Sequence, residues 1–300
     1  MYICRYLYHI ETKFEKILKS AKLHCYKEPI ILDYNRFEPS IFEQNILSIS
    51  NEFSNYDEIF IDISVMSKML IMIILFSLKQ YNGTIRVIYS EPELWGPAEE
   101  KYISTIKAKT DGDWISLSSL GISDVVRTPN LSSVIMQNSP VFLVSFYSFN
   151  ELLLGALINE ISPSRLQLIS HSCERQSWRE NAMNRINSNV IKEHYSGEME
   201  IDFSANVLDY SSVFQKISEI YRKNCYEYRI IIAPTGGKIH AVACALMKLC
   251  CPDIHIEYPT PESYIFEDYS SEKTYTTHQI VFENFNDFVF QLSNEYGLNG

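Results

Sequence analysis

Arg229 to Lys238 reads RIIIAPTGGK, and its reading decides the fold. Three consecutive Ile residues make a short β-branched run typical of a strand buried on both faces. Thr235, Gly236, Gly237 and Lys238 then form a polar turn, and IHAVACALMKLCC follows as an apolar helix. A strand that delivers the chain through such a turn into a buried helix is the unit of a parallel sheet. The paired glycines permit unusual backbone conformations and close approach of a ligand. The helix that begins there points unpaired N–H groups outward, where a phosphate is stabilised and Lys238 adds a point charge. Thr235 is placed to cap the helix or to donate to a ligand oxygen. The turn is neither a Walker A loop nor G-x-G-x-x-G. A tight strand-to-helix turn with an incidental Lys is the plainer alternative.

Working outward, the same rhythm recurs. PIILDY (29–34), EIFIDIS (58–64) and TIRVIYS (84–90) read as strands. Between them, 39–53 and the apolar run around 67–80 read as helices. Further strands are expected at 140–148, 165–171, 198–206 and 254–258, and further helices at 150–161, 174–187, 209–225 and 286–296, with Asn150 as an N-cap. Residues 96–140 read as a connector with little regular structure, a domain boundary or a flap. The tail from Ser263 to Phe285 reads as an edge hairpin. The fold class that follows is α/β, Rossmann-like, a mainly parallel sheet with helices on both faces. It divides into two related βαβ-containing halves, 1–120 and 121–300.

The two halves echo each other. IFIDI leads into SVMSK, a buried helix, then IRVIYSEPELW; RIIIA leads into PTGGK, a buried helix, then IHIEYPTPESY. In the first copy Asp62 ends the strand, Ser64 can cap the helix, and Lys68 sits in its first turn. A Lys there opposes the helix dipole, which makes sense if an anion occupies that helix end; a simple Asp62–Lys68 pair is the alternative. Ligands of open α/β sheets bind outside the carboxyl ends of the strands. The loops YSEPELW and YPTPESY begin there, so Tyr89, Trp95, Tyr258 and Tyr264 can stack on bases, with Glu91 lining the same cleft. Arg175, Trp178 and Arg179, at a helix start, can hold a base and a phosphate. A solvated helix start is the alternative. Cys173 with His171 is a weak nucleophile pair without a third member.

Composition narrows the class. The 300 residues carry a net charge of −11, with 20 Tyr, 16 Phe and 10 Gly. Extended binding to duplex nucleic acid calls for a basic surface, and this one is acidic. Seven scattered Cys without a CxxC pair fit reduced cytosolic thiols and do not fit a zinc site. The start lacks the basic and apolar regions of a signal peptide, and the apolar run at 69–78 is too short to span a bilayer. A cytoplasmic protein without metal or cofactor is expected.

IIIAPTGGK with its apolar helix resembles the strand-loop-helix signature of CARF domains, Rossmann-like sensors of prokaryotic antiviral systems. Thr235, Gly236, Gly237 and Lys238 match; the Thr that stands between glycines and Lys in that signature is absent. DISVMSK is similar to the Asp/Ser turn of such domains. The wider pattern, with SFNELLLGALINEISPSRLQLI and SWRENAMNRIN, resembles α/β proteins encoded near bacterial defence genes. The resemblance implies a nucleotide- or cyclic-oligonucleotide-binding sensor or scaffold. A homodimer and a protein partner from a defence operon stay open, as do two further classes: an enzyme acting on a nucleotide or nucleic-acid end through Asp62 or Glu91, and a protein-interaction subunit of a defence complex.

Overall fold

The computed structural model describes residues 1–7, 14–110, 114–117, 119–200, 203–265 and 273–298. In chain order the first elements are β1 (Tyr2–Tyr6), α1 (Phe14–His24), β2 (Ile30–Tyr34), α2 (Pro39–Ile49), β3 (Glu58–Asp62), α3 (Lys68–Ser77) and β4 (Thr84–Pro92). A middle segment holds α4 (Glu99–Ala108), β5 (Ser119–Leu120) and β6 (Asp124–Val126). Then come β7 (Val141–Phe146), α5 (Glu151–Ile161), β8 (Arg165–Ser172), α6 (Trp178–His194), β9 (Glu198–Met199), β10 (Phe203–Asn206) and α7 (Tyr210–Asn224). The chain continues through β11 (Arg229–Ile232), α8 (Lys238–Cys250), β12 (His255–Ile256), β13 (Tyr258–Thr260), β14 (Ser263–Tyr264), β15 (Thr274–Phe282) and α9 (Phe285–Glu295).

The fold is α/β, with mainly parallel sheets. The largest has the order β10-β8-β7-β11-β12, with β9 also paired to β8, and every pairing in it is parallel. Numbered along this part of the chain the order is 3-2-1-4-5, that of a doubly wound sheet whose direction of growth reverses between β7 and β11. Alternation along the strands covers both faces. Phe142, Val144, Ile230 and Ile232 join a core with residues of α3, α7 and α8, whereas Leu143, Leu166, Leu168 and Ile231 join one with α5 and α6. A smaller sheet has the order β15-β4-β3, and β1 pairs in parallel with β2. Among the described residues no helix is long and apolar enough to cross a membrane.

Helix α3 packs against α8. Its run KMLIMIILFS is buried from Met69 to Leu75, which requires apolar residues all round instead of a stripe. Its N-cap is Ser67, whose Oγ accepts from Leu70 N, not Ser64 as expected. Asn150 caps α5 as expected, accepting from Leu152 N at 3.0 Å.

Three expectations change. The connector contains α4, β5 and β6, and β5 and β6 pair antiparallel with β14 and β13. Polar, short elements of this kind lack the periodicity that reports burial. The chain also opens with strand β1 and helix α1, which the sequence reading above does not include. The expected tail hairpin is replaced by a crossing: β14 pairs with β5, while β15 pairs antiparallel with β4 at the edge of the smaller sheet. The stretch joining them, 266–272, lies outside the described residues, as do 201–202 of the single strand expected at 198–206.

Candidate functional site

The turn APTGGK stands where the order of the large sheet reverses, after β11 and beside the end of β7. Thr235 is consumed there. Its Oγ1 donates to Phe146 O at 2.7 Å, accepts from Phe146 N at 3.1 Å and lies 3.1 Å from Ser145 Oγ. It is therefore a brace between strands, not a helix cap or ligand donor. The glycines also act otherwise than expected. Neither adopts positive φ. A Cβ on Gly236 would stand 2.9 Å from Phe146 Cδ1 and Cγ, and one on Gly237 3.0 Å from Val207 Cγ2. Their role is to let the turn lie flat on its neighbours. Because the Phe146 ring is stacked on His240, with centroids 5.5 Å apart, it has little room to retreat. Gly236→Ala is expected to cost about 1–3 kcal/mol of stability, read as a lower urea midpoint. An unchanged midpoint would show that the turn relaxes freely.

Gly237 offers α8 no side-chain cap, so the first-turn amides of the helix are left for another acceptor. Lys238 is the first residue of α8 and Lys68 the first of α3. Both are half-buried, and neither has a carboxylate or hydrogen-bond partner among the described residues. Burial pushes Lys68 down to about 7, helped by the nearby charge of Lys238, and pushes Lys238 itself down to about 8. Two amino groups near enough to disfavour each other's charge are thus poorly solvated and lack a counterion among the described residues. The alternative pairing of Asp62 with Lys68 does not form. Asp62 Oδ1 instead accepts from Ser64 N at 2.9 Å and Ser64 Oγ at 2.5 Å, and Ser64 Oγ accepts from Ser90 N, tying β3 to β4.

Further buried titratable groups stand near this pair. His171, at the end of β8, feels His240, Arg179 and Lys68; burial, foremost, holds it neutral. The rings of His171 and His240 meet edge to face at 5.8 Å. Arg179 is buried without a carboxylate partner among the described residues and is brought down to about 10 by burial. Cys173 is buried nearby, but no hydrogen bond joins it to His171 among the described residues, so the nucleophile pair is not assembled. No cluster of three or more His, Cys, Asp or Glu suited to a metal occurs among the described residues.

The aromatic-Pro-Glu loops each land on a distant part of the chain. YSEPELW is strapped by the start of α6 and the short turn before it. Arg175 donates to Glu91 Oε1 (2.8 Å), Pro92 O and Glu93 O, while Arg179 donates to Trp95 O, Gly96 O and Pro97 O. Glu91 is buried and also meets His278 Nε2 of β15 at 2.8 Å. YPTPESY reaches the N-terminus of α3. Arg36 donates to Glu262 O and lies over the Tyr264 ring at 5.0 Å. Tyr264 neighbours Tyr6 and Tyr34, and the Tyr6 hydroxyl accepts from Ser67 N at 2.5 Å.

These contacts correct the expected stacking roles. Arg175, Arg179 and Glu91 are committed to holding a loop. Trp178 stacks on Tyr102 at 5.6 Å and tilts against Phe149. Tyr258 is buried, Tyr89 stacks on His278, and Tyr264 carries Arg36. Trp95 is half-buried with its Nε1 lacking an acceptor among the described residues. His240 gives little signal in the sequence because it lies inside an apolar helix, two residues after Lys238.

No protein-family model matches the chain, and no curated protein matches it. Among solved structures it is similar to an ABC transporter solute binding protein from Bacillus halodurans C-125 with bound myo-inositol. That similarity has 10% identity and a TM-score of 0.24, and covers 85% of this chain and 73% of that one. At this level of similarity it says nothing about ligand or function.

Proposed function

We propose that this chain binds a small phosphate-bearing ligand of the nucleotide or cyclic-oligonucleotide type where α3 and α8 begin, and acts as a sensor or scaffold in a cytosolic antiviral system. One observation carries the reading. Lys68 and Lys238 lie together at two helix N-termini, half-buried and without an anion to pair with among the described residues. Such an arrangement costs the empty protein stability and is offset by a ligand anion, which the uncapped amides and both dipoles also favour. The matching positions of the two lysines, each opening the helix after a parallel strand, support two related halves sharing one site. The likeness of APTGGK and DISVMSK to the CARF signature supports the nucleotide class.

Calorimetric titration with mononucleotides, dinucleotides and cyclic oligoadenylates tests this. At least one is expected to bind and to be recovered unchanged; a converted ligand would favour an enzyme instead. The anion needs protonated lysines, whose values of about 7 and about 8 in the empty site rise on binding. Affinity is therefore expected to fall by at least about tenfold from pH 7 to pH 9. Absence of binding by every compound overturns the reading.

A further inference from the structure

The starts of β1 and β2 form a corner with a free sheet edge. Ile30 N donates to Met1 O at 3.0 Å, and Leu7 N donates to Tyr34 O at 2.9 Å. Backbone groups of successive strand residues point to opposite sides. Ile30, Leu32 and Tyr34 therefore direct theirs to β1, and those of Ile31 and Asp33 point away from it. No strand pairs with that side of β2 among the described residues. The strand IILDY carries neither Pro nor Lys nor a bulge, the devices that blunt such an edge. Apolar side chains stand exposed beside it. Ile30 is 49% exposed and Ile31 37%, and the end of α1 with the loop after it adds Leu23 at 74% and a fully exposed Tyr26. Two contacts hold that segment to the strand starts: Cys25 Sγ lies 3.9 Å from Met1 Sδ, and Lys22 Nζ 2.9 Å from Glu28 Oε1. Lys19, Lys22 and Lys27 are exposed around it, a basic rim on a chain of net charge −11.

We propose that this corner docks an extended acidic segment of a partner protein, which adds a strand to the free edge of β2. Main-chain bonds to Ile31 and Asp33 supply the pairing, alternate apolar side chains of the segment cover the exposed Ile and Leu residues, and its carboxylates meet the lysines. Charge selects this occupant. A second copy related by a two-fold axis would bring the same patch, and with it the same lysines, face to face, which like charges oppose. An acidic strand turns that repulsion into attraction. The inference is independent of the anion site, which is built after the carboxyl ends of β3 and β11.

Calorimetry with two synthetic peptides tests this, one alternating Val with Glu and the other Val with Lys. The Val/Glu peptide is expected to bind at least about tenfold more tightly. The net charge of the chain by itself predicts the reverse order, so the sign of the preference is informative. Ile31→Pro removes an N–H that points away from β1 and is expected to weaken Val/Glu binding at least about tenfold. Lys19→Glu/Lys27→Glu leaves β2 untouched and is expected to abolish the preference. Absence of binding by both peptides, equal affinity for the two, full binding by Ile31→Pro, or a preference that survives Lys19→Glu/Lys27→Glu overturns the inference. Vesicles of phosphatidylcholine and phosphatidylserine serve as a further probe: attachment to them without peptide binding assigns the corner to a lipid surface and overturns it as well.

Discussion

Lys238→Met is expected to weaken ligand binding by at least about a hundredfold, about 2.7 kcal/mol, while making the empty protein more stable. The two effects have one cause. Lys238 is held as a poorly solvated cation at the mouth of α8, with Lys68 close by and no carboxylate to compensate either among the described residues. With an anion present, the charge makes a short, desolvated contact, and its removal leaves the anion facing one lysine instead of two. With the site empty, the charge is only a cost. Lys238 is not wholly shielded from water, so the gain on replacement is discounted to about 1 kcal/mol. The sign of the pH dependence follows from linkage. The folded protein releases these protons near pH 7 to 8 and the unfolded chain near 10.5, so between those limits the unfolded state binds more protons. Stability of the empty protein therefore rises with pH across that window. The Lys238→Met gain is fully present below about pH 8 and fades as the pH rises towards 10.5. Denaturant titrations at several pH values, paired with calorimetry, check both halves. A variant that loses stability and keeps its affinity would show that Lys238 is a packing residue.

Glu91→Ala is expected to cost about 2–4 kcal/mol. The Glu91 carboxylate is buried between Arg175 and His278, each at 2.8 Å, and so ties β4, β15 and the approach to α6 to one point. Its loss strands Arg175, which is kept in place by Pro92 O, Glu93 O and the Tyr275 ring at 3.7 Å. A charge held without its counterion is more damaging than the absence of both. Glu91→Ala/Arg175→Met should thus recover part of the stability lost in the single variant, which a double-mutant cycle by urea denaturation measures directly. A loss below about 0.5 kcal/mol in Glu91→Ala would rank this pair with ordinary surface ion pairs.

Glu91 also shows where sequence reading reaches its limit. As a polar residue in a loop after a strand, it reads as a cleft carboxylate available for chemistry. Its actual partners, Arg175 and His278, are remote in sequence and come from separate elements. Arg179 and Trp178 mislead for the same reason. Their spacing on α6 was legible, but the carbonyls and rings that occupy them belong to the Trp95–Pro97 loop, Tyr102 and Phe149. By contrast, Lys68 and Lys238 were legible as helix-opening cations, because a Lys in a first turn conflicts with the dipole wherever it occurs.

Local chemistry by itself determined the α/β alternation, the all-round burial of α3, the Asn150 cap and the two Lys-bearing turns. Each of these depends on residues within one or two turns or strand lengths, and hydrophobic periodicity reports how much of an element is buried. It does not report against what. Tertiary packing alone decided that β15 leaves its chain neighbours for the edge of β4, and that each aromatic-Pro-Glu loop settles on a distant part of the chain. It also decided that Thr235 and Gly236 serve the Phe146 contact and Gly237 lies against Val207, and that neutral His171 stands near half-buried Lys68. Strand edges, carbonyls and rings have no sequence-local preference among equivalent partners, so the packed core chooses between them.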